Sequence, residues 1–373
     1  MRKIYLLFLL TVPFFFQASC KKKSDSLDSP SNAELIQKLK AVSDSVMNAP
    51  DLHIPGLVAL VVDNNKGIDW IYTAGVSDIP NNLPMNSGYT FRIGSNTKTM
   101  TGTVILQLVD EGKLKLEDKL SKYFPSFPKS DSITIRMLCN MTSGIFNYSE
   151  APEFADTLLK DPTMVWQPLG LLEIAFNHAF YFPVGTGFHY SNSNTIILGL
   201  IIEKLTNSDL NTQIANRIYN PLNLQNTGFL TSGTELPGAH GRGYYEGAYL
   251  PGNDLTEYFD MSWAWAAGSA YSTPRELQQY VERMVGGGYL SDSLQQRRLN
   301  DMTILPNGGY GLCLVQRGTF YGHNGGCPGF TSSMYHSNQR NCTVIIYFNC
   351  QLDNYIPDQL FFRFANILYG ADF

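Results

Sequence analysis

Phe91 to Gly112 reads FRIGSNTKTMTGTVILQLVDEG, and the fold turns on how this stretch is read. Val104, Ile105, Leu108 and Val109 recur three and four apart, the spacing of a helix with one buried face. Gly112 supplies a stop just past the last turn. Gly94 and the polar run Ser95, Asn96, Thr97 stand where the helix begins. Ser95 and Lys98 are one turn apart, so hydroxyl and ammonium share a face. A serine there sits in the positive field of unpaired backbone N–H groups. A desolvated Lys98 can lose its proton and then take one from the hydroxyl. The same spacing also suits a capping serine followed by a solvated lysine, so partners elsewhere in the chain must decide.

Working outward, Ala33 to Met47 has helical periodicity, and Leu57–Asp63 and Ile68–Ala74 flank Asn64-Asn65-Lys66-Gly67 as an antiparallel hairpin. Beyond the central helix, Ile135–Leu138 predicts a brief helix that ends in the loop Met141–Gly144, and Leu169–Ala179 predicts another helix. Asn194 to Leu205 is apolar almost all round and reads as a buried helix. Ser191 or Ser193 can cap it, placing Tyr190 and Asn192 at its mouth. Leu210–Ile218 is a further helix, and Thr231–Tyr258 is Gly-rich and aromatic, suited to lining a cleft. Trp263–Tyr271 is rich in small residues and suits close packing near a site. Thr273 as cap and Pro274 at the first position open a helix that runs to Val285. Gly309–Val315, Thr319–His323, Gly329–His336 and Cys342–Asn349 read as strands of an antiparallel meander, and Pro357–Leu368 as a closing helix.

Strands at both ends with helices between predict an α/β (α+β) fold: one antiparallel sheet made from the two chain ends and flanked by helices. A mostly helical region, about 113 to 260, is inserted into it. Such a plan opens a cleft at the seam. Ser95 stands at the first crossing, Tyr190 comes from the helical side, and the 319–336 hairpin forms the other wall.

The 373 residues are 44% apolar and only 16% charged, which describes a folded chain. A net charge of -5 without a basic stripe gives no electrostatic case for nucleic acid. The six histidines show no ligand spacing and no Cys-x-x-Cys occurs, so neither a metal nor another cofactor is expected. Arg2 and Lys3 precede the apolar run Ile4–Phe16, then Ala18, Ser19 and Cys20, which reads as a secretion signal too short for a membrane span. It resembles a bacterial lipoprotein signal, in which Cys20 is lipidated and becomes the first mature residue, although Gln17 departs from the usual aliphatic residue. Lys21–Lys23 and the Ser/Asp-rich run to Asn32 read as a tether, and Lys21 after the cysteine favours, by resemblance, the outer membrane. The expected organisation is a signal at 1–19, a tether at 20–32 and one folded domain at 33–373. Five cysteines follow Cys20, an odd number whose spacing names no pair.

Ser95-Asn96-Thr97-Lys98, Tyr190-Ser191-Asn192 and His323-Asn324-Gly325 occur in that order, and together they resemble the three motifs of the serine penicillin-recognising enzymes. These include class C β-lactamases, D-alanyl-D-alanine carboxypeptidases and related esterases and D-amino-acid peptidases. The resemblance covers the chain from about Asp51 onward. It implies that Ser95 forms a covalent acyl-enzyme, Lys98 takes or relays its proton, and Tyr190 shares that work as a phenolate. Asn192 would donate to a substrate carbonyl and accept from Lys98. His323 stands where the family has lysine. It would donate to Tyr190 or help hold a carboxylate, with an activity step near its ordinary pKa of about 6.5. Asn324 replaces the usual Thr or Ser, and Gly325 lets a substrate lie against the strand edge. The N–H groups of Ser95 and Gly326 would form the oxyanion hole. The implied substrate is a small peptide, a lactam or an ester, with a D-alanyl-D-alanine carboxypeptidase-like activity foremost. A class C-like β-lactamase or esterase and an inactive envelope binding protein are the alternatives. The protein is expected to act as a monomer, anchored to a membrane through Cys20. Gly-x-Ser-x-Gly is absent, which disfavours the α/β-hydrolase route.

Overall fold

A computed structural model describes residues 30–245, 254–352, 355–371 and 373. The signal at 1–19, Cys20 and most of the tether lie outside the described residues. The chain runs through α1 (Asn32–Met47), β1 (Gly56–Asp63), β2 (Ile68–Asp78), β3 (Leu83–Pro84), β4 (Phe91–Arg92) and α2 (Thr97–Asp110). Next come α3 (Ile135–Cys139), α4 (Pro152–Lys160), α5 (Pro168–Phe176), α6 (Asn192–Thr206), α7 (Leu210–Ile214), β5 (Gly228–Phe229), α8 (Trp265–Gly268), β6 (Ala270–Ser272) and α9 (Pro274–Val285). The end comprises α10 (Asp292–Asn300), β7 (Thr303–Leu305), β8 (Gly308–Tyr310), β9 (Val315–Arg317), β10 (Phe320–Cys327), β11 (Phe330–Ser337), β12 (Cys342–Phe348) and α11 (Tyr355–Tyr369).

Both chain ends build the main sheet, in the order β3-β2-β1-β12-β11-β10-β9-β8-β7, antiparallel throughout. The closing pair is β1 with β12, in a register that sets Leu57 opposite Phe348 and Asp63 opposite Cys342. Every residue of β1 is buried, which explains its unbroken apolar run: Leu57, Ala59 and Val61 face α1 and α11, while Val58, Leu60 and Val62 join the core on the side of α2 and α9.

The central helix differs from its expected shape. It is buried nearly all round, because α6, α7 and α8 pack against it and Tyr280 and Arg298 reach its Thr99 and Thr103. Its threonines make this possible by bonding inward. Thr99 Oγ1 donates to Asn96 O at 2.7 Å, Thr101 Oγ1 to Ala266 O at 2.8 Å and Thr103 Oγ1 to Thr99 O at 2.7 Å. Each fully buried Ile or Leu here contributes on the order of 1.5–3 kcal/mol, and Ile105→Ala would remove about 2–5 kcal/mol.

Other boundaries move. The strand expected over Gly309–Val315 is two short strands, β8 and β9, around a tight turn in which Gly311 N donates to Leu314 O at 2.8 Å and Cys313 takes φ 54°. The helix expected over Leu169–Ala179 ends at Phe176, three residues early. The Leu210–Ile218 helix keeps α geometry only to Ile214 and then widens into a π turn at Ala215–Tyr219. β10 runs four residues beyond His323, so the whole His323-Asn324-Gly325 motif lies within a strand.

Candidate active site

Ser95 sits in a single 3-10 turn, Gly94–Asn96, that feeds α2. The turn is pressed onto β10 so closely that glycine is required on both sides. A Cβ at Gly94, which has φ +50°, would lie 2.8 Å from Gly326 N, and one at Gly325 would lie 2.0 Å from Ile93 O. Asn96 ties the turn to the next strand, its Nδ2 donating to Ser332 Oγ at 2.9 Å and to Ile93 O at 2.8 Å. Cys327, for which sequence gave no role, takes a hydrogen bond from Gly94 N–H, and burial pushes its thiol up to about 12.

One turn below, Lys98 is fully buried. Its Nζ lies 2.9 Å from Ser95 Oγ and donates to Ala267 O at 2.8 Å. Desolvation dominates, opposed only by Cys313, and lowers the ammonium pKa to about 7. Without the charge, the amine keeps an N–H for Ala267 O and offers its lone pair to the Ser95 hydroxyl.

Tyr190 lies across the cleft, its ring centroid 4.9 Å from Lys98 Nζ. Its buried hydroxyl has no hydrogen-bond partner among the described residues. Burial pushes the pKa up, and the nearby Ser95 hydroxyl offsets this only in part. Burial therefore favours a neutral phenol at Tyr190 over the phenolate expected from sequence. His323 is 1% exposed, and desolvation, followed by the charge of Lys98, lowers its pKa to about 3. Its Nδ1 donates to Asn324 O at 2.5 Å, which fixes the tautomer and leaves Nε2 to accept from the Tyr310 hydroxyl at 3.4 Å. The expected bond from His323 to Tyr190 is replaced by this pairing with Tyr310, and the titration near neutrality belongs to Lys98.

Asn192 opens α6. Ser191 occupies the N-cap position as expected, but its side chain does not cap, because the hydroxyls of Ser191 and Ser193 both donate to Phe146 O. Instead Asn147 Oδ1 accepts the Asn192 N–H at 3.1 Å, and Asn192 Nδ2 donates to Ser149 Oγ at 2.9 Å. The expected Asn192–Lys98 bond is not among the contacts of the described residues: Asn192 Nδ2 donates to Ser149, and Lys98 Nζ donates to Ser95 Oγ and Ala267 O. Asn324 Nδ2 donates to Asp358 Oδ2 at 3.2 Å, beside the buried Arg317–Asp358 ion pair, also 3.2 Å.

Two larger cavities and a small one of about 30 Å³ meet at Ser95. Of the larger two, one includes Tyr190, Asn192 and Gly326, the other Tyr190, His323, Asn324, Gly325 and Gly326, with Lys98 beneath. The eight residues singled out from sequence therefore gather around one hydroxyl. Sequence reading missed Asn147, Ser149, Tyr310 and Ala267, whose roles arise from contacts between distant segments with no spacing signal.

A family model described as Beta-lactamase matches residues 33–358. The chain belongs to the beta-lactamase family. This beta-lactamase-family protein is 32% identical over 190 residues to protein flp of Staphylococcus aureus, covering 48% of this chain and 35% of that relative. It thus spans about a third of the relative's length. Among solved structures, a D-stereospecific amidohydrolase from Streptomyces sp. superposes with a TM-score of 0.79 at 28% identity, covering 92% of this chain and 100% of that one. The D-amino acid amidase of Ochrobactrum anthropi gives 0.78 at 23% identity, covering 90% and 98%, a likeness of fold alone. The beta-lactamase/transpeptidase-like fold and a serine-hydrolase family follow.

Proposed function

We propose that this protein is a serine acyl-hydrolase working through a covalent acyl-enzyme, with a D-alanyl-D-alanine carboxypeptidase-like or D-peptidase-like activity. One observation carries the reading: a lysine amine, fully buried, lowered to about 7 by desolvation, stands 2.9 Å from a serine oxygen at a helix mouth. A solvated capping pair would have neither the burial nor the shift.

Neutral Lys98 takes the Ser95 proton as Oγ bonds to the acyl carbon. The carbonyl oxygen becomes an oxyanion between the N–H groups of Ser95 and Gly326, each such donor being worth about 3 kcal/mol in comparable hydrolases. Tyr190, a neutral phenol with an unspent O–H, gives its proton to the departing amine or alkoxide and is refilled from the Lys98 ammonium. The proton of Ser95 has then left with the leaving group, and Lys98 is neutral again. Water repeats the sequence: Lys98 takes its proton, hydroxide attacks the ester, and the proton returns to Ser95 Oγ. Asn192 spends one amide N–H on Ser149 and keeps the other for a substrate carbonyl.

Labelling with a fluorescent penicillin or a fluorophosphonate, beside turnover of D-Ala-D-Ala peptides, β-lactams and p-nitrophenyl esters, tests this. One label per chain at Ser95, lost in S95A, is expected, with peptide turnover exceeding lactam turnover. Absence of label and of all turnover would leave an inactive binding protein. The proposal extends to an exported protein held at the outer membrane by lipid on Cys20. Metabolic palmitate labelling that persists in C20A would remove that part.

A further inference from the structure

Cys139 ends α3, in the inserted helical region, and Cys313 stands in the tight turn between β8 and β9 of the main sheet. Both are free thiols, and neither is exposed. The Cys313 N–H donates to Cys139 O at 2.9 Å. A backbone bond of that kind sets two α-carbons about 5–6 Å apart, the span at which cross-linked cysteines stand. The side chains meet as well. The two thiols share a hydrogen bond, which with burial raises the Cys139 pKa well above the ordinary thiol value.

The acyl-transfer chemistry does not use this pair, yet its surroundings are fitted to it. Gly102 of α2, one turn beyond Lys98, leaves no room for a methyl group, since a Cβ there would lie 2.4 Å from Cys313 Cβ. Arg298 of α10 is fully buried, and the groups whose charge bears on it are Tyr280, Cys313 and Cys139. Its guanidinium donates to Thr103 Oγ1 and Thr99 O, and its field favours a thiolate at Cys139. The thiolate is the form that attacks a disulfide.

We infer that Cys139 and Cys313 form a disulfide, made by exchange with a disulfide oxidant as the chain folds, which staples the inserted helical region to the sheet beside the helix of Ser95 and Lys98. In the first step one cysteine thiolate attacks a sulfur of the oxidant and expels a thiolate. In the second the other cysteine, its proton lost to solvent, attacks the mixed disulfide, and a second thiolate leaves. Two electrons pass to the oxidant, whose two thiols take up the two protons. The link closes a loop of about 170 residues that holds Tyr190 and Asn192, and so removes much of the freedom of the unfolded chain. Because both sulfurs are buried, the bond closes before the core seals, and a reductant reaches it only when the fold opens.

The full chain, unfolded and reduced, is refolded in parallel with a mixture of oxidised and reduced glutathione and with a phosphine reductant. The monomeric fractions are quenched in acid, alkylated under denaturing conditions and mapped by peptide mass. The oxidised refold should yield one linked pair, Cys139 with Cys313, while Cys327 and Cys342 are alkylated. It should melt about 5 °C or more above the reduced refold. Dithiothreitol should leave the link closed until the protein unfolds. In C139A/C313A the melting gap should vanish. Alkylation of both cysteines in the oxidised refold overturns the inference. Pairing of either with another cysteine, or refolding that succeeds only with the thiols reduced, overturns it too. A linked protein that melts no higher than the reduced one overturns the staple. None of these outcomes touches the acyl-hydrolase reading.

Discussion

Along β10 the cleft wall is set by backbone against backbone, with Gly94 and Gly325 leaving no room for a methyl group between the Ser95 turn and the strand. The facing wall, Tyr190 to Asn192, is set by side chains from another segment: Asn147 holds the Asn192 amide and Ser149 its side chain. Backbone contact fixes a position to a few tenths of an ångström and permits no substitution. Side-chain bonding leaves a wall that can be retuned one residue at a time. The nucleophile and its oxyanion donor belong to the rigid side, and the substrate-facing groups to the adjustable one.

The largest expected effect lies beneath both walls. Lys98→Ala should lower kcat by about a thousandfold or more while Ser95 remains in place. In the parent, kcat/KM should rise with pH through about 7, because the ammonium cannot accept a proton below that value and the neutral amine can above it. A pH profile flat from 6 to 8 would take Lys98 out of the base role.

The rigid wall comes next. Gly325→Ala drives a Cβ to 2.0 Å from Ile93 O, so the turn and strand must part. Activity should fall about a hundredfold with a lower Tm, since displacing the Gly326 N–H costs transition-state binding. On the adjustable wall, Asn147→Ala removes one cap and one anchor, and kcat/KM should fall only about tenfold, near 1.4 kcal/mol. Equal losses in G325A and N147A would erase the contrast between the walls. Smallest of all, Tyr310→Phe removes the hydroxyl facing His323 Nε2, and activity should stay within about threefold with the acid limb unmoved. A limb that shifts in Y310F would return the titration to His323.

The parts legible in sequence were those written locally. Ser95 and Lys98 are one helical turn apart, and the helical period alone brings them together. β1, β11 and β12 announce themselves by unbroken or alternating apolar runs. The short strands β7 to β9 did not, because three residues broken by Gly311 and by Cys313 in a left-handed conformation carry no readable period. The two charge-state expectations failed for one reason. Whether Tyr190 ionises or His323 protonates depends on water, and water is excluded by Tyr310, β9 and β10 together, which no single stretch records. Asn192 was found, yet its partners Asn147 and Ser149 lie more than forty residues away, beyond any spacing argument.

The pairing of β1 with β12 also has a temporal side. Leu57 must wait for Phe348 to be synthesised, and Ser95 for the strand that begins at Phe320. Until then β1 offers an unpaired apolar edge, a target for proteases and for other nascent chains. Contacts separated by most of the polypeptide form slowly. A ribosome stalled within the last fifty codons would therefore hold a chain with its nucleophile already made and no enzyme around it.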